Sequence, residues 1–251
     1  MKTLALTAIR VCALAAFALA SPFAWAQGGL VGTAHDFSGE IANGATSGLC
    51  TFCHTPHQAQ QQNLLWNRAL ATGTNYTWGA GAVTTGGTLY PTFQGATYNG
   101  TTVKCLSCHD GSVAVGEVAW WAGAPATFPG RPAIGDPTFQ VGLGGDMNGN
   151  HPVAMPYPFN NVLGNTYNGQ TTGVGVVLEW VADPQTNGIR LYNDDGAGNI
   201  SAGAVAGQTG IECASCHDPH NGSTVQDIFF LRGTIGGAAP NYICTKCHAK
   251  L

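Results

Sequence analysis

Eight of the nine cysteines in this 251-residue chain fall into four copies of one pentapeptide, and no other feature constrains its folding as tightly. The copies are Cys50-Thr51-Phe52-Cys53-His54, Cys105-Leu106-Ser107-Cys108-His109, Cys213-Ala214-Ser215-Cys216-His217 and Cys244-Thr245-Lys246-Cys247-His248. Cys-x-x-Cys-His is the attachment signature of c-type haem. Two thiols about one helical turn apart can add to the two vinyl groups on one porphyrin edge. The histidine that follows then lies under the iron as its proximal ligand. Three plainer readings explain less. Disulfides, common in exported chains, do not require a histidine after each second cysteine. Paired zinc knuckles leave that histidine without a role, and a thioredoxin-like Cys-x-x-Cys occurs once, in a βαβ setting. The sequence therefore predicts four covalently attached haems.

The histidines close the account. There are eight, and His54, His109, His217 and His248 are the proximal set. His35, His57, His151 and His220 remain as distal ligands, which predicts bis-histidine iron throughout. Methionine is the usual rival ligand. Past the N-terminal leader only Met147 and Met155 are present, both flanking His151, and either is an alternative to it. His57 follows His54 by three residues and His220 follows His217 by three, each across a proline (Pro56, Pro219) that stiffens the link. Side chains three apart on a helical turn point the same way, whereas trans ligands approach a metal from opposite faces. Each of these distal histidines should therefore serve a neighbouring haem. The pairing expected is His57 with His109 and His220 with His248, leaving His35 and His151 for the other two.

Lys2 and Arg10 bracket a short basic start, Val11–Ala20 is almost wholly apolar, and Ala24-Trp25-Ala26 fits a signal-peptidase site. Residues 1–26 are thus expected to be a leader, removed together with Cys12. The run is too short to span a bilayer, and no other stretch approaches the roughly 18 apolar residues required. From Gln27 onward seven Lys and Arg stand against thirteen Asp and Glu, a formal charge of −6 before any cofactor. So sparse and acidic a balance argues against nucleic acid, which needs clustered basic residues, and against a basic membrane-surface patch.

The motifs cluster as two pairs. Residues 27–125 form a first dihaem region, 126–208 a loop-rich insertion carrying His151, and 209–251 a second dihaem region. In the insertion, alternating apolar residues at Val174–Val181 and Ile189–Tyr192, around a turn ending in Asn187-Gly188, suggest a β-hairpin. Short helical turns are expected after each attachment motif, for example over Leu64–Ala71. Elsewhere helical periodicity is absent. Gly79-Ala80-Gly81 and Gly142–Gly145 read as surface loops or close backbone approaches, and Asn75, Asn99 and Asn221 begin glycosylation sequons. The fold class expected is mostly coil with short helices and a small β-hairpin, wrapped around a four-haem core and dependent on it.

Cys50-Thr-Phe-Cys-His-Thr-Pro-His57, Leu64-Leu-Trp-Asn-Arg68, Cys105-Leu-Ser-Cys-His-Asp-Gly-Ser112 and Asn150-His-Pro-Val153 resemble phrases of exported multihaem c-type cytochromes. In length and haem number the chain is most similar to tetrahaem subunits that polymerise into extracellular filaments. The resemblance implies a loop-rich fold, bis-histidine haems in alternating parallel and T-shaped pairs, and head-to-tail self-association into an open filament. It also implies that a histidine of one subunit can ligate a haem of the next, for which His35 is the candidate. The function expected is long-range electron transfer at the cell surface or outside it, with other electron-transfer proteins or extracellular acceptors as partners. A soluble periplasmic shuttle is the alternative. A multihaem reductase would need an iron with an open axial position, and eight histidines for eight positions leave none, so no enzyme is expected.

Overall fold

The computed structural model describes residues 29–60, 63–71, 73–95, 97–173, 179–222, 229–237 and 241–249. The leader read over 1–26 lies outside them. Irregular backbone dominates, as expected. Near the N-terminus a two-residue hairpin, β1 (Ile41–Ala42) with β2 (Ala45–Thr46), leads into the single turn α1 (Gly48–Thr51). The longest helix, α2 (Thr101–His109), contains the whole second motif. The antiparallel pair β3 (Glu117–Trp121) and β4 (Ala124–Thr127) follows, with a register shift between Val118 and Trp121. A four-stranded antiparallel sheet then brings distant segments together. Its order is β5 (Met155–Pro156), β10 (Thr209–Ile211), β8 (Tyr192–Asp194) and β9 (Ile200–Ala202), and β10 runs directly into α3 (Cys213–Cys216). Between β5 and β8 lies another two-residue hairpin, β6 (Thr166–Tyr167) with β7 (Gln170–Thr171).

Strands this short cannot satisfy the backbone by themselves, so buried side chains complete the hydrogen bonding. Asn67, with no exposed surface, donates through Nδ2 to the carbonyls of Thr51 (2.9 Å) and Trp120 (3.0 Å) and accepts from Trp120 N (2.9 Å). Asn165 ties Val162 to Gly207 in the same manner. Apolar burial falls in three small clusters rich in aromatic rings. The first gathers Tyr76, Trp78, Phe93, Tyr98, Leu106 and Tyr167; the second Phe37, Phe52, Val118 and Phe128; the third Met155, Tyr157, Ile189, Leu191 and Ile211.

Two local expectations need correction. No helical turn runs over Leu64–Ala71. Leu64 and Leu65 both have positive φ (64° and 52°), because their carbonyls turn inward to accept from the His54 ring and from Thr55 N. The hairpin lies further along the chain. Most of its expected first strand, 174–178, is outside the described residues, and Trp180 instead bridges to His248, with Val181 N donating to Cys247 O at 2.8 Å. Tyr192–Asp194 pairs with Ile200–Ala202 around a turn that Asp195 organises, its Oδ1 accepting from Ala197 N and Asn199 N. Among the described residues no helix is long and apolar enough to cross a membrane.

Candidate haem-attachment sites

Each motif occupies a single turn of helix, which puts its two cysteines on one side and the histidine just beyond. In the first, third and fourth motifs the turn closes by donation from the histidine backbone N to the first cysteine's carbonyl, at 2.9, 3.0 and 2.9 Å. The second motif lies within α2, and the fourth on the 3-10 turn Ile243–Lys246. No disulfide joins the eight cysteines of the motifs. Burial pushes the Cys53 thiol up to about 12, with Cys108 adding to the effect and Arg68 opposing it. Burial likewise raises Cys216 to about 11 and Cys247 to about 12. A site that disfavours the thiolate suits neutral thioether sulfur better than a thiolate–zinc bond. Among the described residues no group of three or more His, Cys, Asp or Glu is arranged to hold a bare metal ion.

The imidazoles are oriented as ligands. Nδ1 donates to a backbone carbonyl in His54 (Leu64 O, 2.6 Å), His109 (Phe139 O, 2.7 Å), His217 (Phe229 O, 2.5 Å) and His151 (Pro152 O, 2.9 Å). A carbonyl can only accept, so the proton is on Nδ1 and Nε2 keeps its lone pair, the arrangement that orients metal-bound histidine. His35 is held by the Pro219 carbonyl and stacks on Phe230 at 4.6 Å. Burial, and then the adjacent His109, lower its pKa to about 4, which keeps the ring neutral.

Three pairs of rings face one another: His35 and His109 at 6.1 Å between centroids, His54 and His220 at 6.2 Å, His151 and His248 at 6.3 Å. A metal–imidazole bond is about 2.0–2.1 Å. In a five-membered ring with bonds of about 1.33 Å, a nitrogen lies about 1.1 Å from the centre. Two rings on opposite faces of one metal should therefore stand about 6.2–6.4 Å apart. The three observed separations match that figure to about 0.1–0.2 Å. The residues fit a group that takes two axial histidines, supplies its own equatorial donors and is tethered at one edge by two thiols.

The pairing differs from the one expected by sequence. His109 faces His35 and not His57, and His248 faces His151 and not His220. His220 crosses to His54, joining the first motif to the third. His35, expected to reach outward, points at His109 of its own chain. Asp218 accepts from His220 N at 3.2 Å and holds the Asp218–His220 turn. His57 and His217 are exposed, and His217 lies near enough to His35 to act on it electrostatically.

The motifs adjoin in series. Trp66 Nε1 donates to Ser107 Oγ between the first and second (3.2 Å), and Cys105 and Cys213 touch between the second and third. Cys216 and Cys244 interact between the third and fourth. Two buried residues beside the motifs, Arg68 and Glu212, drew no attention in the sequence. The signal was available: with 9% charged residues, a charge next to an attachment motif is conspicuous.

Residues 204–251, holding the third and fourth motifs, match the family described as Doubled CXXCH motif. The match points to a multihaem c-type cytochrome, an electron carrier of a kind that is usually exported. Comparison with curated proteins finds no match.

Proposed function

We propose that the chain is a tetrahaem c-type cytochrome with bis-histidine ligation at every iron, acting in long-range electron transfer and assembling into an extracellular filament. The observation that carries this reading is the set of three histidine pairs at trans-axial spacing, with His217 and His57 outside those three pairs. Bound haem supplies a one-electron Fe(III)/Fe(II) couple. The protein does the rest. Cys50/Cys53, Cys105/Cys108, Cys213/Cys216 and Cys244/Cys247 tether one edge each. The Nδ1–carbonyl bonds hold the imidazoles in one orientation in both oxidation states. A histidine on each face leaves no axial position for a substrate, which favours transfer over catalysis, and the absence of an axial Met favours low potentials.

His57 then ligates the site of His217 across a subunit contact, and repetition of that contact gives an open head-to-tail assembly. The roles proposed for His35 and His57 are thereby exchanged relative to the sequence reading. Mass spectrometry of the exported protein should show four haems added per chain. Microscopy should show filaments that disappear in His57→Ala, and dissociated wild-type subunits should bind one CO per chain when reduced, while intact filaments bind none. Discrete particles in native secreted material would favour the periplasmic shuttle. Dissociated subunits that bind no CO would return His57 to its own chain.

A further inference from the structure

The first and third attachment sites lie beside buried side chains of opposite charge. Arg68 is 1% exposed. Its guanidinium donates to the carbonyls of Val115 (2.6 Å), Ala114 (2.8 Å) and, at 3.5 Å, Ser107 inside the second motif, while Nε has no partner. Its chain neighbour Asn67 donates to the Cys53 carbonyl at 2.9 Å, which fixes Arg68 against the first motif. Among the described residues the ion pairs are Arg131 with Glu40 and Arg232 with Asp218, so no carboxylate neutralises Arg68. A guanidinium keeps its proton in proteins. Neutral carbonyl dipoles solvate the charge but do not cancel it.

Glu212 is also 1% exposed and immediately precedes Cys213. Its carboxylate accepts from Thr102 N (2.7 Å) in the first turn of α2, from Tyr167 OH (2.7 Å) and from Tyr98 OH, and it caps α3 together with Ser215. One acidic side chain therefore caps the helices that carry the second and third motifs. Lys104 and Asp110, both buried, flank the second motif with opposite signs, and Lys104 lies close enough to Glu212 to interact with it electrostatically. Arg232 and Asp218 do the same next to the third.

We propose that Arg68 and Glu212 are positioning residues that set reduction potentials with opposite sign, Arg68 favouring reduction at the Cys50–His54 site and Glu212 opposing it at the Cys213–His217 site. This rests on the tetrahaem reading above. Reduction adds one electron to a site and lowers its charge by one. A cation buried nearby stabilises the reduced form, and a buried anion destabilises it, more strongly than exposed charges can because the medium between them screens less. Arg68 has no carboxylate partner among the described residues, and Glu212 abuts Cys213 directly, whereas Lys104, its electrostatic neighbour, precedes Cys105.

The test is a spectroelectrochemical titration of the purified holoprotein, resolved into four one-electron steps, in wild type and in variants matched for haem content. Arg68→Gln should lower the reduction constant of one step by about ten-fold, or about 59 mV for a one-electron couple. Glu212→Gln should raise that of a different step by a similar factor. Arg68→Lys and Glu212→Asp, which keep the charges, should leave the steps in place. Loosened packing would admit water to both sites and move both neutral variants the same way, so opposite signs are the discriminating result. Shifts of one sign, or none, with four haems still attached, overturn the inference. A wild-type protein lacking haem at these motifs would instead overturn the reading beneath it. If Arg68→Gln does not fold, unchanged steps in Glu212→Gln alone suffice to reject the proposal.

Discussion

Replacing His151 by alanine should open one axial position in each chain and change little else. The His151 ring faces His248 at 6.3 Å, is itself exposed, and is fixed by donation from Nδ1 to the Pro152 carbonyl at 2.9 Å. Truncation removes that hydrogen bond, worth about 0.5–1.5 kcal/mol, and leaves no sealed core void. The loss is small against the stability of about 5–15 kcal/mol typical of a folded domain, so the variant should fold. The cavity of about 310 Å³ between His151 and His248, lined also by Tyr90, Pro152, Met155 and Trp180, is the space the haem itself would take, so loss of the imidazole would open the face it now covers to CO or free imidazole. Reduced filaments of the variant should bind one CO per chain more than wild type, shifting roughly a quarter of the Soret band if four haems are present. Free imidazole should compete with the CO. Met155 lines the same cavity and can offer its sulfur, so the double variant His151→Ala/Met155→Leu guards against a replacement ligand; a Met-to-Leu exchange conserves volume and costs less than about 1.5 kcal/mol. If the double variant binds no more CO than wild type, His151 is not the ligand opposite His248 and the ring-separation argument fails.

Three further outcomes follow from particular contacts. Asn67→Ala deletes three side-chain hydrogen bonds at a fully buried position and strands the groups on Thr51 and Trp120, so urea denaturation should show a loss of about 3 kcal/mol or more. In Gly210→Ala the new Cβ would lie 2.2–2.5 Å from Tyr167 ring atoms. Tyr167 must move off Glu212, and a fall in Tm equivalent to about 1–3 kcal/mol is expected. Cys244→Ser/Cys247→Ser should reduce covalently bound haem from four to three per chain in a denaturing haem assay, with no loss from wild type on treatment with a chelator.

What the sequence made legible was the chemistry that is local in the chain. Attachment of a porphyrin edge requires two thiols one turn apart and a histidine beside them, so five consecutive residues declare it. The distal ligands could be counted but not paired, because pairing depends on how distant segments meet. β5 and β8 both pair with β10, which leads into the third motif, and these contacts bring the segment that follows His151 and the stretch before α3 into one sheet. The motifs adjoin in chain order, first to second, second to third and third to fourth. The His54–His220 contact additionally joins the first motif to the segment just after the third. The helix expected at Leu64–Ala71 failed for a related reason: the apolar spacing was suitable, but the Leu64 carbonyl is used to orient His54, which a helical hydrogen bond would forbid.

The distribution of buried charge ties these observations together. Burying a charge costs several kcal/mol unless it is paired and hydrogen-bonded, and a chain so poor in charged residues could have avoided doing so. The buried charged side chains are nevertheless Arg68, Lys104, Asp110, Glu212, Asp218 and Lys246. Lys104 and Glu212 immediately precede a motif, Asp110 and Asp218 immediately follow a proximal histidine, Lys246 lies inside the fourth motif, and Arg68 donates to a carbonyl within the second. Part of the reason is structural. A one-turn helix leaves nearly all its end groups unsatisfied, and Glu212, Asp110 and Asp218 each accept backbone N–H groups there. Neutral Asn can hold backbone groups at less cost, as Asn67 does at the Thr51 carbonyl inside the first motif and Asn165 does at Gly207. Burying full charges beside the motifs is what a protein needs if the field at each attachment site matters as much as its shape.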